Sequence, residues 1–153
     1  MRPALRQEVA SLYKGGDHDQ VLFAAPQELV WLAMNALLEP GDHVVCTHPG
    51  YQSLYEIALA LGCEVDRWQP DEKEGWRFDV AALVRLLKPS PKLVVVNFPH
   101  NPTGALPSSA DFARLVELLR GRGIRLFSDE MYRFLEVDPA DRLPSACEVY
   151  ERA

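Results

Sequence analysis

The stretch of sequence that decides the fold spans residues 93–104 and reads LVVVNFPHNPTG. Its first part, Leu93 to Asn97, is an aliphatic run of the kind found in strands that are buried on both faces of a parallel sheet. Two prolines and a glycine follow, so the chain makes a rigid turn just beyond the strand. This turn presents the amide of Asn101. Taken alone, residues 101–104 are explained equally well by an ordinary turn.

Helical and strand-like segments alternate along the whole chain. The pattern predicts strands over residues 21–24, 43–47, 63–68, 93–97 and 124–128, and helices over residues 2–14, 26–38, 50–61, 80–87, 108–119 and 144–152. Asp79 and Ser108 are predicted to cap two of these helices. The alternation predicts an α/β fold, a three-layer α/β/α sandwich with a mostly parallel sheet. In such folds, ligands bind beyond the carboxyl ends of the strands.

The composition is that of an ordinary soluble protein with one domain. The 153 residues carry a formal net charge of −6, which argues against nucleic acid and membrane partners, because both favour basic patches. The three cysteines match no zinc or disulfide spacing, so we expect a reducing, cytoplasmic compartment. We expect no signal peptide and no membrane helix, because no apolar run approaches the roughly 20 residues that a membrane helix needs.

A second polar motif follows the next predicted strand. Residues 128–132 read SDEMY. An aspartate at the end of a buried strand is costly unless it is paired, which indicates a binding role for Asp129. On its own, the motif is also explained by a helix N-cap at Asp129 with Tyr132 packed beside it.

The two motifs, in this order on successive strands, resemble the class I/II aminotransferases, which are pyridoxal 5′-phosphate (PLP) enzymes of fold type I. The similarity extends from about Leu5 to Leu143 without large gaps. It includes the EPGD turn at residues 39–42 and the Pro-x-Tyr-x-x-Tyr segment at residues 49–55. Each motif is weak alone, whereas the ordered set is specific. The resemblance implies PLP as the cofactor, and an amino acid and a 2-oxo acid as substrates.

The resemblance also assigns roles around the cofactor ring. Asp129 matches the aspartate that pairs with the pyridine nitrogen, where a carboxylate keeps the nitrogen protonated and the ring electron-poor. Asn101 and Tyr132 match the pair that hydrogen-bonds the 3′ oxygen. Tyr51 matches the aromatic residue that stacks on the ring.

Three other residues near these motifs are predicted to have no chemical role. Tyr55 lies one helical turn beyond Tyr51, and we interpret it as a packing residue. His48 and His100 lie in loops after two strands, but no group of Cys, His and Asp with metal-ligand spacing accompanies them. We therefore predict that both histidines are loop residues near the mouth of the cofactor site.

The predicted phosphate end departs from the family pattern. In the family, a Gly-Ala/Ser-x-Glu stretch opens a helix whose backbone N–H groups and dipole hold the phosphate. Here the stretch is Ala25-Pro26-Gln27-Glu28, so alanine replaces the glycine and Pro26 has no N–H to donate. We expect the N–H of Gln27 and the helix dipole to remain, with one backbone contact fewer.

The lysine that binds PLP in the family has no counterpart among residues 1–153. None of the four lysines lies in a Ser-x-x-Lys loop after the SDEMY motif. We therefore expect residues 1–153 to be a partial PLP-binding large domain that lacks the Schiff-base lysine, the C-terminal part of that domain and the small domain. This chain alone should not turn over amino acids, because transamination needs the lysine amine. The resemblance implies a homodimer for the full-length form.

Other functions remain open from the sequence. A PLP-dependent lyase, decarboxylase or cyclising synthase uses the same scaffold, and the fold does not choose among them. A non-catalytic remnant or assembly module would explain the missing lysine, although the retained Asn101, Asp129 and Tyr132 argue against it. A nucleotide-binding role for Gly121-Arg122-Gly123 is weak, because a third glycine is absent and the segment precedes a strand.

Overall fold

The structure, a computed structural model, describes residues 3–153. The strands in this range are β1 His43–Thr47, β2 Glu64–Trp68, β3 Pro91–Asn97 and β4 Arg125–Asp129. The helices are α1 Pro3–Ser11, α2 Pro26–Leu37, α3 Ser53–Ala60, α4 Val80–Leu86, α5 Ser109–Arg122 and α6 Ala146–Val149. Short 3₁₀ turns occupy His18–Gln20, Glu72–Glu74 and Pro139–Asp141. No helix in the described range combines the length and the apolar character that crossing a membrane requires.

The four strands form one parallel sheet in the order β2-β1-β3-β4. Strands β1 and β3 are neighbours at the centre of the sheet. The chain passes from β1 to β2 on one side of this pair and from β3 to β4 on the other side. A crevice for a ligand is expected between the loops that follow two such strands. The register of β3 against β4 sets Asn97 beside Asp129 at the carboxyl edge of the sheet.

Helices cover both faces of the sheet. Successive residues of a strand point to opposite faces, and in β1 Val44 and Cys46 belong to one buried cluster while Val45 belongs to the other. Residues of α2 and α3 complete the first cluster, and residues of α4, α5 and α6 complete the second. The predicted three-layer α/β/α sandwich with a parallel sheet is therefore confirmed.

Two predicted helix caps are present. Both carboxylate oxygens of Asp79 accept backbone N–H groups at the start of α4, at 2.9 and 3.2 Å. The Ser108 hydroxyl accepts the N–H of Asp111 at 3.1 Å at the start of α5. Each cap satisfies donors that the first helical turn leaves free, and such a cap typically contributes about 1 kcal/mol.

The strand predicted over residues 21–24 is wrong. These residues form an irregular segment that leads into α2, and Leu22 is 71% exposed. Periodicity cannot separate a strand from a loop in a run of four apolar residues, and this run joins none of the four strands. The last predicted helix is also too long, because only Ala146–Val149 is helical. The first is observed as Pro3–Ser11, with Arg2 outside the described residues.

Leu83 provides a test of the helical layer that contains α4. Its side chain is fully buried, whereas its neighbour Val84 is 39% exposed. Leu83→Ala should lower the free energy of unfolding by about 2–5 kcal/mol, because it removes buried methyl groups and leaves a cavity. Val84→Ala, the matched control on the same helix, should change it by less than about 1 kcal/mol. Urea unfolding measures both, and equal losses would contradict the assigned packing.

Candidate cofactor site

A cleft of about 480 Å³ opens at the carboxyl edge of the sheet. It forms where the start of α2 meets the loops that follow β1, β3 and β4. Five of the residues predicted to bind the cofactor line this cleft: Pro26, Tyr51, Asn101, Asp129 and Tyr132. Further lining residues are Leu29, Val30 and Phe127, which add an apolar wall. The sheet topology thus brings together residues that are more than a hundred positions apart in the sequence.

Asp129 ends β4 with its carboxylate half-buried at the cleft. Burial raises the pKa of this carboxyl; the N–H of Met131, 3.0 Å from Oδ1, lowers the pKa, and the neighbouring Glu130 raises it. No cationic side chain among residues 3–153 contributes to that pKa shift. The ionised carboxylate is therefore poorly compensated, and a positively charged group in the cleft would supply its missing partner.

Asn101 and Tyr132 converge on the same cleft from two different loops. Nδ2 of Asn101 donates a hydrogen bond to the hydroxyl oxygen of Tyr132 at 3.3 Å. A phenol both donates and accepts, so the Tyr132 O–H remains available to a ligand. The Asn101 amide carries a second N–H as well. The pair can thus present two donors to one anionic oxygen of a ligand.

Asn97 is a site residue that the sequence analysis missed. It is 2% exposed, and its Nδ2 donates to the backbone oxygen of Asp129 at 3.1 Å. Its Oδ1 accepts the backbone N–H of Asn101 at 2.8 Å. The side chain therefore ties the strand end that carries Asp129 to the turn that carries Asn101. An amide that ends an otherwise aliphatic strand was the available signal, since buried polar groups need partners.

The aromatic residues of the loop after β1 divide into two kinds. Tyr51 lines the cleft with 44% of its surface exposed, so its ring is accessible to a planar ligand. Tyr55 packs edge-on against His48, with ring centroids 5.6 Å apart, as expected of a packing residue. His100 lies in the loop after β3, as predicted, and it is 2% exposed with both of its ring nitrogens hydrogen-bonded.

The start of α2 offers backbone donors to an anion. The first hydrogen bond of the helix runs from the N–H of Leu29 to the oxygen of Ala25 at 3.0 Å, and Ala25 makes no side-chain cap. The N–H groups of Gln27 and Glu28 therefore have no acceptor within the helix. Pro26 lines the cleft but has no N–H, whereas Ala25 and Gln27 adjoin it without lining the cleft.

Comparisons with known proteins identify the family. Residues 1–150 match the family model described as aminotransferase class I and II. The methionine aminotransferase of Escherichia coli is 33% identical over 138 residues, covering 88% of this chain and 36% of that protein. The crystal structure of a PLP-dependent aminotransferase from Streptococcus suis has a TM-score of 0.91 and 38% identity, covering 99% of this chain and 40% of that one. The N-succinyldiaminopimelate aminotransferase of Mycobacterium tuberculosis has a TM-score of 0.83 and 27% identity, covering 92% and 39%.

The sheet order and the helices on both of its faces match part of the fold of PLP-dependent transferases. The chain belongs to the aminotransferase class I and II family, whose cofactor is PLP. It spans 36% of the length of the E. coli relative and 40% of the S. suis chain.

The cleft fits PLP well at the ring and less well at the phosphate. At the ring, Asp129 lacks a cationic partner, which a protonated pyridine nitrogen would provide. Asn101 and Tyr132 are the donors that a phenolic oxygen needs, and Tyr51 offers an aromatic face. At the phosphate, the helix offers its dipole and backbone N–H groups but loses one donor at Pro26.

The lost donor at Pro26 leads to a prediction. Pro26→Ala restores an N–H in the first turn of α2, and a hydrogen bond to a charged group contributes about 1.5–3 kcal/mol. We expect Pro26→Ala to bind PLP on the order of tenfold more tightly, measured by absorbance titration. Pyridoxal, which lacks the phosphate, should bind both proteins equally. Pro139→Ala, which changes the first residue of a 3₁₀ turn, is the matched control. An equal gain for pyridoxal would contradict the assignment of this helix to the phosphate.

Proposed function

We propose that residues 1–153 form the ring-binding part of the cofactor site of an aminotransferase, which moves an amino group between an amino acid and a 2-oxo acid. One observation carries the proposal. The half-buried Asp129 carboxylate, without a cationic partner in the described chain, shares a cleft with the hydrogen-bonded pair Asn101 and Tyr132. All the relatives described above are named as aminotransferases, which supports this reaction over others on the same scaffold.

The chain's residues have separate tasks in this function. Asp129 would hold a proton on the ring nitrogen, because an ionised carboxylate raises the pKa of a cationic group beside it. Asn101 and Tyr132 would bind the ring oxygen and orient the ring in its plane. Tyr51 would lie against one face of the ring and shield it from water. Bound PLP supplies an electron-poor ring that accepts electrons from the substrate carbon.

None of the four lysines of the chain is among the residues that line the cleft. Lys88 pairs with Glu64, and Lys92 approaches Asp42, both near the amino ends of the strands and hence at the opposite edge of the sheet. Lys14 and Lys73 are exposed and do not line the cleft. We therefore propose that residues 1–153 bind PLP without a covalent bond. The catalytic amine would then belong to another part of the working protein.

The compartment, the oligomeric state and the substrates of the working protein are proposals as well. We propose that the working protein is a cytoplasmic homodimer that acts on small amino and 2-oxo acids. A PLP-dependent lyase, decarboxylase or cyclising synthase is distinguished from an aminotransferase by its products. Given a donor amino acid and a 2-oxo acid, an aminotransferase forms a new amino acid, whereas a lyase releases a fragment of its substrate. The lack of a lysine at the cleft favours, as a second candidate, a non-catalytic PLP-binding module.

Borohydride reduction tests non-covalent binding. We expect the 153-residue chain, mixed with PLP and reduced, to carry no stoichiometric label on any lysine, because no lysine lines the cleft. Peptide mass spectrometry locates any label, and a transamination assay on the same sample should show no turnover. Stoichiometric labelling of one lysine would overturn this part of the proposal.

Asp129→Asn tests the ring contact through two opposite effects. In the ligand-free chain, burial raises the pKa of Asp129 above its usual value of 3.8, so folding favours the protonated form of this carboxyl. The stability that the protonated form contributes is present at low pH and is lost as pH rises through the folded-state pKa. Asparagine cannot ionise. Asp129→Asn should therefore gain stability relative to the wild type as pH rises above 3.8. The variant should also bind PLP at least about tenfold more weakly, because a hydrogen bond to a charged partner is lost.

Asp138→Asn is the matched control for that experiment. Asp138 accepts the N–H two residues ahead at 2.9 Å, as Asp129 does at 3.0 Å, but Asp138 is exposed. Urea unfolding across pH and PLP titration should therefore show little change in Asp138→Asn. Unchanged PLP affinity in Asp129→Asn would refute the ring-nitrogen assignment, whatever the effect on stability.

A further inference from the structure

His100 is a buried polar side chain that the proposed function has not yet used. It is 2% exposed, and its ring packs edge-on against Phe78 with centroids 4.7 Å apart. Nε2 lies 2.7 Å from the backbone oxygen of Pro49, and Nδ1 lies 2.7 Å from Oγ1 of Thr103. A fully buried imidazole with both nitrogens engaged has a defined orientation, because breaking either bond would leave a buried polar atom without a partner.

The partners of His100 determine which nitrogen carries the proton. The carbonyl of Pro49 can only accept, so Nε2 must donate to it. In the neutral imidazole, Nδ1 then accepts from the hydroxyl of Thr103, whose oxygen also accepts the N–H of Ala105 at 3.2 Å. This arrangement is a neutral imidazole. Burial lowers the pKa of His100, the Pro49 carbonyl raises it and the nearby His48 lowers it, which also favours the neutral form.

The two bonds of His100 differ in what they join. The bond to Thr103 stays within the loop after β3, whereas the bond to Pro49 crosses to the loop after β1. These loops follow the two central strands, on the two sides of the crevice. They also approach each other closely, because a Cβ built on Gly50 would lie 3.9 Å from the backbone oxygen of Asn101.

Each joined loop carries a predicted ring contact next to the bond. Tyr51 follows Pro49 by two residues, and Asn101 follows His100 directly. The first lines the cleft with its aromatic ring and the second with its amide. The separation of these two contacts therefore depends on how firmly the two loops are held together. In the described chain, the Nε2–H bond of His100 is the side-chain hydrogen bond that crosses between them.

We propose that His100 is a positioning residue that clamps the loop of Tyr51 to the loop of Asn101 and so sets the width of the ring-binding cleft. The inference rests on the proposed function only for the identity of the ligand. The clamp itself is a property of the ligand-free chain. His100 touches neither ligand nor reacting atom in this role, and it acts through the two residues that it holds in place.

Two substitutions separate the two bonds of His100. The amide nitrogen of glutamine occupies the place of Nε2, so His100→Gln keeps the donor to Pro49 and loses the contact with Thr103. The amide of asparagine occupies the place of Nδ1, so His100→Asn keeps the contact with Thr103 and loses the bond to Pro49. Both variants lose the ring that packs against Phe78. Their loss of stability should therefore be similar, and any difference between them reports on the inter-loop bond.

Hydrogen–deuterium exchange and PLP binding measure that difference. In the ligand-free chain, we expect the backbone N–H groups of residues 50–53 to exchange about tenfold faster in His100→Asn than in His100→Gln. We expect PLP to bind roughly fivefold more weakly to His100→Asn, with a reduced circular dichroism band of the bound cofactor. Urea unfolding of both variants is the control for stability. Equal exchange and equal affinity in the two variants would overturn the clamp.

A measurement on the unmodified chain keeps the inference testable if a variant does not fold. A long-range proton–nitrogen NMR spectrum at neutral pH should show His100 protonated at Nε2 alone, with that proton protected from solvent. A spectrum in which Nε2 carries no proton, or in which that proton exchanges freely with solvent, would overturn the clamp. If the wild-type chain binds no PLP, the proposed function fails, while exchange and NMR still decide whether His100 joins the two loops.

Discussion

The parallel register of β3 and β4 is the constraint on which the site depends. It sets Asn97 beside Asp129 at the carboxyl edge, and the Asn97 side chain bonds both to the backbone of Asp129 and to that of Asn101. A shift of one residue would turn the side chains of a strand to the opposite face. The carboxylate, the amide and the phenol of Tyr132 could then no longer meet in one cleft. Both faces of β3 are packed, with Val94 and Val96 in one buried cluster and Val95 in the other, so slippage would also place each side chain in a space shaped for a different residue.

Most strands and helices and the residue types of the site can be predicted from the sequence. The hydrogen bonds that join separate segments around the site cannot. Strand β1 was predicted with its observed ends, and the caps at Asp79 and Ser108 are local signals that the structure repeats. The failure at residues 21–24 comes from a run too short for periodicity to decide. The roles of Asn97 and His100 could not be predicted, because each depends on a partner in another segment whose position only the folded sheet defines.

The ionised Asp129 carboxylate destabilises the folded chain, and the packing of the rest of the fold offsets this cost. A half-buried carboxylate without a cation opposes folding, yet the same lack of compensation would make Asp129 a strong partner for a protonated ring nitrogen. Well-packed clusters on both faces of the sheet provide the stability that tolerates this arrangement. Functional sites commonly break local rules in this way, and the surrounding structure compensates for them.

The two ends of the cofactor would be recognised by different parts of the chain, and this separation explains how the site accommodates Pro26. The ring would meet side chains that strand register and loop contacts hold in place, whereas the phosphate would meet backbone N–H groups at the start of α2. A proline in the first turn fits the helix and removes only one donor. It leaves Asp129, Asn101 and Tyr132 unchanged, because none of them depends on that N–H. Phosphate affinity can therefore vary within this fold without disturbing the geometry that orients the ring.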